Sequence, residues 1–251
     1  QGIMIRSRVP DLPEATGTTG SVSKYSNKTL RLITIGESTI AGVGVKTHKE
    51  GFTGSLAKAL SEKFDTNIDW KVYAKSGFTA KQVTKEIIPN IDEKSPNLIV
   101  IGLGANDSFK LNTPGIWRKN VSELIDSVQT KFPNVPVVFA NMPPIKEFPA
   151  FTPLIKFVIG NLSEILREEL IKMVSKFDNV FFYARKITFK SWEERLNIQA
   201  EESEFFSDGV HPSKLTYQVW ARDLCDFMVN DLDIREAILC QNLADDFEIS
   251  R

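Results

Sequence analysis

Short apolar runs alternating with amphipathic segments of helical period predict an α/β protein: a three-layer α/β/α sandwich around a mostly parallel five-stranded sheet. Three observations carry that expectation. The runs at 30–35, 97–101 and 135–140 are almost continuously apolar, as strands covered on both faces must be. The stretches between strands repeat apolar residues at 3.6 spacing. The composition, 42% hydrophobic and 25% charged over 251 residues, is that of an ordinary globular domain.

Taken in order, residues 1–28 are rich in Pro, Gly, Ser and Thr without periodicity and predict an extended surface arm. The main domain spans 29–230. Its five predicted strands are 30–35, 68–73, 97–101, 135–140 and 180–183. One helical stripe runs through Trp117, Val121, Leu124, Ile125, Val128 and Phe132. A second runs through Leu162, Ile165, Leu166, Leu170, Met173, Val174 and Phe177, and a last helix covers about 213–230. Residues 231–251 carry a weaker helical pattern (Ile234, Ile238, Leu243, Phe247) suited to packing on the domain or on a partner.

Bulk properties exclude several function classes. A net charge of −1 with scattered Lys and Arg gives no field for nucleic acid. No apolar run reaches the ~18 residues of a membrane span. Because the chain opens on Gln1, a signal or anchor upstream could have been removed, so the compartment is left open. Cys225 and Cys240 leave room for one optional bridge but no disulfide framework. With only His48 and His211 and no CxxC, no metal site is expected.

In parallel α/β sheets, ligands sit beyond the carboxyl ends of the strands, where strand order reverses. Directly after the first strand comes Gly36-Glu37-Ser38-Thr39-Ile40-Ala41-Gly42. A serine there presents its hydroxyl at the sheet edge with a free N–H as a helix begins, and it serves equally as a helix cap. A phosphate loop needs Gly before Lys-Thr, where this chain has Val45 before Lys46-Thr47. The dinucleotide fingerprint fails for want of a third glycine, and the GxSxG elbow fails at Ile40.

Three more segments lie at the same edge. Gly77, in Ser76-Gly77-Phe78-Thr79, lets the backbone turn sharply and bring an N–H close to a ligand; it also reads as an ordinary loop glycine. Gly104-Ala105-Asn106-Asp107 ends the third strand, where Asn-Asp is common turn chemistry. Asp208-Gly209-Val210-His211 places a carboxylate three residues before an imidazole, a spacing that can fix the ring, or simply a surface turn before the last helix.

Together these four blocks resemble the SGNH (GDSL-type) family of esterases and lipases over about 29–230. The resemblance implies a flavodoxin-like sheet, Ser38 as nucleophile, His211 as base and Asp208 as its orienting carboxylate. It also implies an oxyanion hole built from the Ser38 N–H, the Gly77 N–H and the Asn106 amide, with no cofactor and no metal. Glu37 stands where the family usually has Asp, which is expected to alter local hydrogen bonding without loss of catalysis. Its activity would be hydrolysis of small-molecule esters. An acyltransferase sharing the acyl-enzyme, or a non-catalytic binding module, are the alternatives. The loop 141–151 offers Pro144, Phe148 and Phe151 as pocket walls, or else packs on the final helix. Lack of a lid insertion favours small or short-acyl esters, acetyl and aryl included. His48 reads as a surface residue. Oligomeric state is left open.

Overall fold

The computed structural model describes residues 12–248, apart from the side chains of residues 195, 196, 202 and 242–248. Alternation along the strands decides its layering. In β2 (Thr29–Gly36), Leu30 and Leu32 enter one apolar cluster while Ile33 and Ile35 enter another. In β4 (Leu98–Gly102), Leu98 and Val100 divide in the same way from Ile99 and Ile101. Successive strand side chains point to opposite faces, so a strand apolar at every position must be covered twice.

One cover is α1 (Phe52–Phe64) with α6 (Lys214–Asn230), through Leu56, Leu60, Trp220 and Leu224. The other is α3 (Pro114–Lys131) with α4 (Pro153–Val174), through Trp117, Val121, Leu166 and Leu170. Local chemistry starts these helices. Thr113 and Thr152 each accept a backbone N–H of the first turn, and proline follows each cap. Two smaller helices, α2 (Ala105–Phe109) and α5 (Phe189–Leu196), follow β4 and β6 (Val180–Phe182). The C-terminal α7 (Leu232–Glu248) buries Ile234 and Ile238 in the first cluster. Leu243 and Phe247 fall among the side chains outside the described residues.

The sheet order is β1-β3-β2-β4-β5-β6, with β3 at Asn67–Ala74 and β5 at Val137–Phe139. The five strands expected from sequence are all present and run parallel to one another. Their order is flavodoxin-like and reverses between β2 and β4, the two strands that deliver Ser38 and Asn106.

A sixth strand was not expected: β1 (Thr19–Val22), antiparallel on β3 at the edge. Its sequence, Thr-Gly-Ser-Val, has no hydrophobic alternation to read, because backbone bonds to β3 rather than side-chain burial make it a strand. Residues 1–11 of the expected arm lie outside the described residues. Beyond them the arm lies along the loop after β2, with Ala15 N–H donating to Ala41 O at 2.9 Å and His48 N–H donating to Thr16 O at 2.9 Å. That cover also corrects the expectation for His48, which is buried at 4% exposure, and burial pulls its imidazole below the usual range.

Candidate active site

No helix begins at Ser38. The chain makes a tight turn instead, with Ala41 N–H on Glu37 O at 2.8 Å and Val43 N–H on Ser38 O at 3.1 Å. Gly42 and Gly44 then take φ of +70° and +103°, outside helical space, and the first helix is delayed to Phe52. Among the described residues, no hydrogen bond occupies the Ser38 N–H, and Ser38 is half-buried.

Glu37 is almost wholly buried and reaches across the switch point. Its two carboxyl oxygens accept the Ala105 and Asn106 N–H groups, each at 2.9 Å. Burial pushes this carboxyl up to about 8, against the lowering effect of those two amides. The residue that departs from the family pattern therefore ties the Ser38 turn to the start of α2. Asn106 extends the tie, donating from Nδ2 to Phe78 O at 3.2 Å in the loop that carries Gly77. Asp107, by contrast, is spent on structure. It accepts Ala80 N–H at 2.9 Å and Asn112 Nδ2 at 2.6 Å, and burial pushes its carboxyl up.

The Asp208–His211 pair arrives from the other end of the chain. Asp208 Oδ2 lies 2.7 Å from His211 Nδ1, while Oδ1 accepts the Val210 and His211 N–H groups at 2.9 and 2.7 Å. Burial opposes ionisation of Asp208, but the His211 ring and these amides outweigh it and hold the carboxyl below its ordinary range. An ionised Asp208 calls for a proton on Nδ1, which leaves Nε2 free to act as a base. Two bonds dock this turn and the helix after it on the Ser38 loop: Ser207 Oγ donates to Gly44 O at 3.0 Å, and the buried Tyr217 hydroxyl of α6 donates to Val43 O at 2.7 Å.

Ser38, Gly77, Asn106 and His211 line one cleft of about 130 Å³. Its walls include Phe148, as the sequence suggested, together with Phe109, Pro143 and Val210, which it did not. Phe151 stands behind the wall, its ring 5.3 Å from Phe148 and 5.6 Å from Phe109. Pro144 is not brought to the cleft. It lines a separate cavity with Lys146 and Arg167, which Pro143 also borders. The loop also meets α6, where Trp220 Nε1 donates to Asn141 Oδ1 at 3.1 Å. Ser207 and Tyr217 carried no readable signal, since each reaches the Ser38 loop through a backbone oxygen distant in sequence.

Against known protein families, the model of the GDSL-like lipase/acylhydrolase family matches residues 34–219. The chain belongs to that family. A search of curated proteins finds no match. Among solved structures, this GDSL-like protein resembles TesA at 17% identity, with 79% of this chain and 97% of that one covered and a TM-score of 0.59. It resembles a protein described as a GDSL-like lipase from Parabacteroides merdae at 18% identity, with 86% and 99% covered and a TM-score of 0.60. It also resembles a family 3 carbohydrate esterase of Clostridium thermocellum at 19% identity, with 80% and 98% covered and a TM-score of 0.57. At such identities the structures speak for the shared fold. Among the described residues, no group of three His, Cys, Asp or Glu side chains could hold a metal ion, and no helix is long and apolar enough to cross a membrane. Cys225 is buried, Cys240 is exposed, and the two are not bridged.

Proposed function

We propose that this GDSL-family hydrolase cleaves small or short-acyl carboxylic esters through an acyl-enzyme on Ser38. The observation that supports this most is the single small cleft lined by Ser38, Gly77, Asn106 and His211, with the imidazole already held by Asp208. His211 Nε2 takes the Ser38 hydroxyl proton as Oγ attacks the ester carbonyl carbon. The carbonyl oxygen becomes an oxyanion held by the Ser38 and Gly77 N–H groups and the Asn106 amide. Collapse of that intermediate breaks the acyl C–O bond, and the imidazolium gives its proton to the departing alcohol. A water deprotonated by the same histidine attacks the acyl carbon, and the acid leaves with Ser38 reprotonated. The cleft of about 130 Å³, closed on one side by Phe109, Pro143 and Phe148, suits an acetyl-sized or slightly longer acyl group better than a long chain.

A p-nitrophenyl ester series of increasing acyl length, run on the wild type and Ser38→Ala, tests both parts. Turnover should fall beyond the shortest acyl groups and vanish in Ser38→Ala. A fluorophosphonate should add its mass to the peptide containing Ser38. Equal turnover in Ser38→Ala, or an adduct elsewhere, sinks the assignment.

A further inference from the structure

We propose that Glu14, on the segment leading into β1, is a positioning residue for the oxyanion hole. The inference rests on the reading of the Gly77 N–H as one of the donors to the carbonyl oxygen. Residues 75–78 form a reverse turn closed by Phe78 N–H on Lys75 O at 3.3 Å. Gly77, at its third position, has φ of +84°, the value a type II turn requires there. Type I and type II turns differ by a flip of the peptide between the two central residues, here Ser76 and Gly77. That peptide carries the Gly77 N–H, so whatever holds the turn in one form also aims the donor.

The turn has little to hold it from within. Its closing bond is long, Gly77 is exposed, and the Asn106 bond to Phe78 O is 3.2 Å. The shortest tie comes from outside: Glu14 Oε1 accepts the Ser76 N–H at 2.7 Å, while Oε2 meets Lys75 Nζ at 3.2 Å. A carboxylate on a backbone N–H makes a bond roughly twice as strong as a neutral pair. Glu14 is itself fixed by the residues after it. Ala15 is buried and bound to Ala41 O, and Thr16 N–H donates to Lys46 O at 3.0 Å. Ala41 belongs to the turn that closes on Glu37 O and presents Ser38. One short stretch of arm therefore grips both turns whose N–H groups would face the oxyanion, and it sets them relative to each other.

The experiment compares Glu14→Ala, Glu14→Gln and Lys75→Ala in the full chain. It reads kcat and KM for p-nitrophenyl acetate and the rate of fluorophosphonate inactivation, whose phosphonyl oxygen occupies the same hole. Complete loss of one oxyanion donor costs about 10²–10³ in kcat, so a misaimed donor in Glu14→Ala should cost about tenfold. KM should stay within about twofold and the inactivation rate should fall in parallel. Glu14→Gln keeps an acceptor oxygen and should recover most of the rate. Lys75→Ala removes only the exposed ion pair and should match the wild type. Wild-type kcat in Glu14→Ala, a loss confined to KM, or an equal loss in Lys75→Ala overturns the inference alone. A wild type that takes no label on Ser38 overturns the esterase reading and this inference together.

Discussion

Both carboxyl oxygens of Asp208 are engaged: one orients the His211 ring and the other gathers two backbone amides. In Asp208→Asn the amide oxygen can still take the backbone N–H groups, but the NH₂ then faces Nδ1 and forces the wrong imidazole tautomer. We expect kcat to fall about 10³–10⁴-fold with the fold intact, read by steady-state kinetics beside circular dichroism. Asn106 offers a different loss. In the proposed mechanism its side chain is one of three donors, so Asn106→Ala should lower kcat about 10²–10³-fold while KM changes little. The sequence proposed these residues from four blocks beside strand ends, and the fold brings Ser38, Gly77, Asn106 and His211 to one cleft. The adjacent polar residues Asn106 and Asp107 part ways in the fold: Asn106 lines the cleft, and Asp107 is buried in structural bonds.

Between elements, buried Glu37 joins the β2 turn to the N-terminus of α2, and this makes stability depend on pH. Its carboxyl titrates near 4.5 when unfolded and is raised to about 8 when folded. The folded state thus binds the proton more tightly. Its contribution is fully present below about pH 4.5 and is lost as pH rises through about 8, on the order of a few kcal/mol. Denaturant midpoints measured from pH 4 to 9 should fall more steeply in the wild type than in Glu37→Gln. Parallel curves would contradict the burial argument. At the sheet edge, Gly20 lets β1 lie flat on β3. A Cβ there would stand 2.2 Å from the Trp70 ring. Although alanine normally outperforms glycine in a strand, Gly20→Ala should destabilise by about 1–3 kcal/mol, measured by urea unfolding. Neither link was readable in advance, since both depend on which residues lie across the fold.

For the molecule as a whole, Ser38 and His211 come from opposite ends of the parallel sheet's connectivity, and both must be docked for the cleft to exist. Activity and helical signal should therefore be lost together on heating, within a few degrees, as one cooperative transition. Activity that disappears well before the helices melt would instead mark the loops as a separately unfolding unit. The sequence by itself determined the layers, because an apolar residue at every strand position has to be covered on both sides and a 3.6 period allows only helices to do it. It also placed the four polar blocks at the carboxyl edge of the sheet. Tertiary structure alone decided the extra strand β1, the burial of His48 beneath the arm, the turn rather than helix at Ser38, and Pro143 in place of Pro144 at the cleft. The physical reason is common to all four. Each is settled by backbone hydrogen bonds or by close approach between segments far apart in the chain, which leave no periodicity or composition to read.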